Sequence, residues 1–107
     1  MNNTNGYLVA ESAIHGRGLF ATHEIAPGER IGVYEGPLVE YDSTYVLWVE
    51  GDDGVWRGIQ GENELRFLNH SPLPNAAFEG SELFAMSRIA AGEEITIHYG
   101  DEWEDVA

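Results

Sequence analysis

The sequence predicts a mostly-β domain of small sheets, and three observations carry that reading. Thirteen glycines and four prolines cut the 107 residues into short pieces. The pieces between them are rich in β-branched and aromatic residues, which suit a pleated, half-buried surface. Turn sequences join the pieces in pairs. In chain order the predicted strands are Tyr7–Glu11, Leu19–Thr22, Arg30–Glu35, Tyr45–Glu50, Val55–Arg57, Leu83–Ser87 and Glu94–Tyr99. Ala26-Pro27-Gly28-Glu29 and Ala90-Ala91-Gly92-Glu93 read as tight turns, and Gly51-Asp52-Asp53-Gly54 as the turn of a hairpin. Only Glu62–Leu68 has a helical look, and it is short.

Length and composition bound the function before any motif does. At 107 residues a single domain over 1–107 is expected, and 43% hydrophobic residues with 12 aromatics suffice for one core. Nineteen acidic residues face five basic ones, all arginines, for a net charge of -14. Such a chain cannot build the basic face that phosphates require, so direct nucleic-acid binding is not expected, nor is docking to an anionic membrane. The charge serves solubility or attracts a basic partner. The absence of cysteine excludes disulfides, thiol catalysis and thiolate-bound zinc. MNNTNGYLV lacks the basic and apolar regions of a signal peptide, and no run of about 20 apolar residues is present. The expectation is a soluble, intracellular protein of cytoplasm, nucleoid or nucleus.

An internal echo runs through the chain. FATHEIAPGERI (Phe20 to Ile31) and FAMSRIAAGEEI (Phe84 to Ile95) share seven residue types in register. Each reads as strand, tight turn, strand, with the glycine supplying a positive φ. The echo is either a structural duplication or convergence on the same turn chemistry. Both units deliver a tyrosine beyond their second apolar run, Tyr34 and Tyr99.

Common chemistries lack their motifs. The four histidines show no metal-ligand spacing, and neither a nucleophile elbow nor a phosphate-binding loop occurs. The pair Glu93-Glu94 lies in a turn and reads as a solvated face. Three segments are more specific. Gly16-Arg17-Gly18 stands at the entrance to a strand, where glycines let a ligand approach the backbone. In RFLNHSPLPN (Arg66 to Asn75) two prolines force an extended path, and Asn69, His70, Ser71 and Asn75 crowd around the break. Any one of these could belong to a capped loop; the set is harder to dismiss. In GEEITIHYG (Gly92 to Gly100) alternation places Ile95, Ile97 and Tyr99 on one face, so the Tyr99 hydroxyl needs a partner.

In this order the three segments resemble the SET domain of protein-lysine methyltransferases, over about residues 7–103. RFLNHSPLPN is similar to the family's RFxNHSxxPN pattern, GEEITIHYG to its GEExxxxYG pattern, and Tyr34-Glu35-Gly36 to its YxG. The resemblance implies a β-clip of small curved sheets in which 69–75 passes through a loop of the C-terminal stretch, a pseudoknot-like threading. It implies the cofactor S-adenosylmethionine, met by the backbone of Gly16, Arg17 and Gly18, with Asn69 and His70 at its amino and adenine ends. Trp103 would be an adenine lid or a core-edge residue. Tyr99 would be the catalytic tyrosine and Tyr34 would form a wall of the lysine channel. Phe78 is a further candidate wall or plain core, and Ile97 lines the channel two residues before Tyr99. The implied substrate is a lysine of a basic protein, histone-like, nucleoid or ribosomal.

Departures from the pattern have consequences. Pro72 stands where cysteine is common, and His98 where aspartate is common. No cysteine-rich segment follows Tyr99, so the channel is expected to be closed by Glu102–Ala107 or by a second subunit in a homodimer. The stretch between Tyr34 and Arg66 is short, which weakens narrow peptide specificity. Ile97 has no hydroxyl to restrain the amine, so di- or trimethylation is expected. The alternative to an enzyme is a non-catalytic SET-like module that binds a basic peptide or the cofactor.

Overall fold

The computed structural model describes residues 6–42 and 45–98. Within these, ten strands and one 3-10 turn follow in the order β1 Tyr7–Glu11, β2 Arg17–Ala21, β3 Arg30–Val33, β4 Leu38–Val39, β5 Val46–Glu50, β6 Trp56–Gln60, the 3-10 turn Glu64–Phe67, β7 Asn69–His70, β8 Ala76–Glu79, β9 Glu82–Ala85 and β10 Glu94–Ile97. They form three small sheets: β1-β2-β10-β7, β3-β9-β8 and β4-β6-β5. The mostly-β expectation is met. The predicted helix shrinks to the four-residue 3-10 turn, which Leu68 ends with an extended ψ of 131°. Strands β4, β7 and β8 were not anticipated, because pieces of two to four residues carry no readable period.

The echo is a structural duplication. Ile25 and Ile89 exchange both backbone hydrogen bonds at 2.9 Å. Gly28 N–H donates to Ala85 O, and Gly92 N–H to Ala21 O, each at 2.8 Å. Within each turn a glutamate carboxylate accepts from the turn's own first alanine, Glu29 from Ala26 at 3.0 Å and Glu93 from Ala90 at 2.9 Å. Each unit therefore completes the other's sheet: β2 pairs with β10, and β3 with β9. The equivalent residues Leu19 and Leu83, and Ile25 and Ile89, are all buried at the junction. Burying a side chain of this size stabilises by roughly 1.5–3 kcal/mol.

The turn glycines have φ of +82° at Gly28 and +86° at Gly92, with open space where a Cβ would stand. Only backbone strain then opposes alanine, about 1–2 kcal/mol at each. Gly28→Ala and Gly92→Ala should lower the thermal midpoint alike, by about 4–8 °C for each kcal/mol. Thermal denaturation followed by circular dichroism checks both the size and the near-equality.

Leu65, from the 3-10 turn, and Ile95 complete the fully buried set with Leu19, Leu83 and Ile89. The hairpin β5–β6 packs Leu47 and Ile59 against this core. At its tip Arg57 pairs with Asp53 at 2.8 Å, which holds the Asp53 carboxyl down at about 2. Among the described residues no helix is long and apolar enough to cross a membrane. The threading of 69–75 through a C-terminal loop involves residues beyond 98, outside those described.

Candidate functional site

Two neighbouring features meet at the end of β10. The first is a polar cluster that draws the three motif segments together. Strand β7 runs parallel to β10, with Asn69 beside Thr96 and His70 beside Ile97. The extended path expected after His70 is not kept, since the chain bends at Pro72 and Leu73, where Leu73 N–H donates to the Ser71 hydroxyl. Ser71 N–H continues the ladder to Ile97 O at 2.9 Å. From β7 the Asn69 side chain reaches back to the first motif. Its Nδ2 donates to Arg17 O at 3.0 Å, His15 O at 3.1 Å and Glu94 Oε2 at 2.9 Å. Gly16, Arg17, Gly18, Asn69 and His70, far apart in the chain, thus form one neighbourhood.

The glycines of that cluster do different things. Gly16 lies at φ +45° with nothing within 4 Å of where its Cβ would stand, so its backbone can be approached closely. Gly18 is buried on β2, and the space of its missing side chain is taken by Glu94. A Cβ there would lie 2.9 Å from the Glu94 carboxyl carbon and closer still to an oxygen. The reading of Glu93-Glu94 as a solvated pair needs correction. Glu93 is exposed, but Glu94 is half-buried on β10, and its carboxylate accepts from the Ser12 hydroxyl at 2.8 Å as well as from Asn69. Ser12 in turn accepts from Ile14 N–H at 2.9 Å, which pins the turn before Gly16.

Asn75 clamps the proline-bearing segment to β10. Its Oδ1 accepts from Thr96 N–H and its Nδ2 donates to Glu94 O, both at 2.8 Å. No local pattern marks the Ser12–Glu94 contact, because the two lie 82 positions apart; the second glutamate of GEE is the available signal. The rings of His70 and His98 meet edge-to-face with centroids 4.7 Å apart.

The second feature is a cavity of about 860 Å³ that Tyr34, Phe78, Ile97 and His98 line together with Tyr45 and Trp48 of the hairpin side. Tyr34 is buried, its ring perpendicular to Phe78 at 5.7 Å. Its hydroxyl donates to Tyr45 O at 2.6 Å, and Gly61 N–H donates to the same carbonyl at 2.8 Å. Gly61 must lack a side chain, since a Cβ would strike the Tyr34 ring. One carboxylate residue, Asp42, is among the cavity-lining residues; it is exposed and accepts from Trp48 Nε1 at 3.2 Å. The predicted channel residues Tyr34, Phe78 and Ile97 are therefore brought to one cavity. Because Ile97 lines the cavity while its strand mate Thr96 flanks Asn69, β10 joins the cavity to the polar cluster. Tyr99 and Trp103 lie outside the described residues. Among the described residues no group of three or more histidine, aspartate or glutamate side chains could hold a metal.

Comparison with known proteins agrees with this geometry. The SET domain family model matches residues 16–100. The histone-lysine N-methyltransferase trithorax of Drosophila virilis is 34% identical over 119 residues, and human histone-lysine N-methyltransferase 2B is 35% identical over 121. These matches cover 91% and 92% of this chain but only 3% and 4% of the relatives, so the chain spans a small part of their length. Among solved structures, the methyltransferase domain of human histone-lysine N-methyltransferase SETMAR superposes with a TM-score of 0.76 at 22% identity, covering 94% of this chain and 46% of that one. A Plasmodium falciparum chain, described as a candidate histone methyltransferase, gives 0.73 at 23%, covering 92% and 96%. The motif cluster, the sheets and the family match over most of the chain lead to one conclusion: the chain belongs to the SET domain family.

Proposed function

We propose that the protein is an S-adenosylmethionine-dependent protein-lysine N-methyltransferase acting on a basic protein. The observation that carries this reading is the convergence of Tyr34, Phe78 and Ile97 on one cavity that β10 joins to the Asn69 cluster. The residues present fit the cofactor. Gly16 leaves its backbone open to close approach. Among the described residues every hydrogen-bond partner of Asn69 Nδ2 is an acceptor, which leaves the amide oxygen for a donor such as an ammonium group. When bound, the cofactor supplies a methyl group on a sulfonium, ready for in-line displacement.

The chain's own residues align and desolvate the amine. Alignment provides much of the rate in such a displacement, and no covalent enzyme intermediate is required. The lysine must be neutral, which costs roughly 4.6 kcal/mol at pH 7 from an unperturbed pKa near 10.4. The aromatic walls Tyr34 and Phe78 lower that pKa by excluding water. A carboxylate deep in the cavity would raise it, and Asp42 is exposed, its Oδ1 bonded to Trp48. The net charge of -14 draws lysine-rich segments toward the protein.

The test is transfer of labelled methyl from S-adenosylmethionine to a panel of basic proteins. Wild type is expected to label at least one of them, and Tyr99→Phe to lower the rate by about 100-fold or more, since misalignment alone has that effect. Equal labelling by both proteins would remove Tyr99 from the mechanism. Cofactor binding without transfer to any protein would favour the non-catalytic binding module.

A further inference from the structure

Three acceptors surround the Asn69 amide nitrogen, and only one of them is charged. The Glu94 carboxylate lies 2.9 Å behind Asn69 Nδ2, in the space Gly18 leaves free, and the Ser12 hydroxyl holds it there. Reversing the Asn69 amide would set its oxygen against two carbonyls and a carboxylate, so the orientation is fixed. Glu94 is met by Nδ2 and not by Oδ1, and among the described residues no group donates to Oδ1. A hydrogen bond to a charged acceptor is stronger than one to a carbonyl and polarises the next bond in the chain. Carboxylate, amide nitrogen and amide oxygen therefore form a short relay that ends in an acceptor strengthened by a negative charge behind it.

We propose that Glu94 is a positioning residue for the cofactor, holding Asn69 with Ser12 so that its oxygen selects the cationic α-amino end of the cofactor's tail. The inference rests on the cofactor reading above and assigns to Glu94 no part in the methyl transfer itself. It also accounts for Gly18, whose glycine makes room for the Glu94 carboxylate. Arg17 and His15 contribute to the relay through their carbonyls alone.

Binding of two ligands by calorimetry tests the role. S-Adenosylhomocysteine carries the α-amino tail, and 5′-methylthioadenosine has the same nucleoside without it. Glu94→Gln keeps the side chain's shape and removes its charge. It is expected to weaken S-adenosylhomocysteine about tenfold, in the range of a charged hydrogen bond, and to leave methylthioadenosine unchanged. Ser12→Ala, which frees the carboxylate without altering its charge, is expected to show the same preference to a smaller degree, and it serves where Glu94→Gln fails to fold. Equal loss for both ligands, or no loss for either, would overturn the assignment of Glu94 while leaving the cofactor reading intact. Failure of the wild-type protein to bind S-adenosylhomocysteine would overturn both.

Discussion

Gly36→Ala is expected to lower the thermal midpoint by roughly 12 °C or more, the consequence of about 3 kcal/mol of lost stability in a domain of this size. Gly36 has φ +156°, and a Cβ there would collide with the Gln60 carbonyl, 2.8 Å from its carbon and nearer its oxygen. Both partners are backbone and neither can swing aside. The segments cross here because Gln60 N–H donates to Pro37 O at 3.0 Å and Glu62 N–H to Glu35 O at 2.8 Å. The same crossing carries Gly61 to the Tyr45 carbonyl, which also accepts from Tyr34. Any fraction that folds should therefore have a displaced Tyr34 and a weakened catalytic rate. A midpoint within about 4 °C of wild type would mean that the crossing relaxes easily.

Asn75→Ala should cost about 2–4 kcal/mol, comparable to the backbone collision at Gly36. It strips partners from two backbone groups, the N–H of buried Thr96 and the C=O of Glu94. Each unsatisfied buried group costs roughly 1–3 kcal/mol. Asn75→Asp keeps an acceptor for Thr96 but loses the donor and sets a negative charge beside Glu93, whose carboxylate already lies 3.4 Å from Nδ2. It is not expected to rescue the loss. Urea denaturation of the three proteins checks the order; a fully stable Asn75→Asp would show that the donor is dispensable.

The parts of this fold that were readable from sequence were those with local causes. Strand β1 was anticipated from Tyr7 to Glu11, and β5 and β6 to within a few residues, because each alternates between turn signals. The duplicated turns were legible through their glycines and glutamates, and their reciprocal pairing through Ile25 and Ile89 explains why the pattern repeats. Strand β7 has two residues and pairs in parallel with a strand that begins 24 positions after it ends, so no window along the chain contains its cause. Strand β8 begins with two alanines, which have little strand preference, and forms because β9 offers it a register from Ala76↔Ala85 to Glu79↔Glu82. Tyr34, Phe78, Ile97, Asn69 and His70 are candidates by the resemblance alone; the structure puts the first three on one cavity and the last two on β7. Glu94 was misread because its neighbours in sequence are a turn, whereas its partners, Ser12 and Asn69, arrive from other strands and turns.

If the cavity presents a neutral lysine for methylation, as proposed, the methylated side chain must be lysine. Mass spectrometry of a labelled basic protein, resolved to the residue, is expected to place the methyl on lysine Nε. Di- or trimethylated forms should accumulate with excess cofactor, because Ile97 offers no hydroxyl to restrain the amine. The 107 residues contain no lysine, so every methyl-lysine detected must come from the added protein. Label on arginine or on a carboxylate, or none on lysine under conditions where the cofactor binds, would rule out lysine methylation at this cavity.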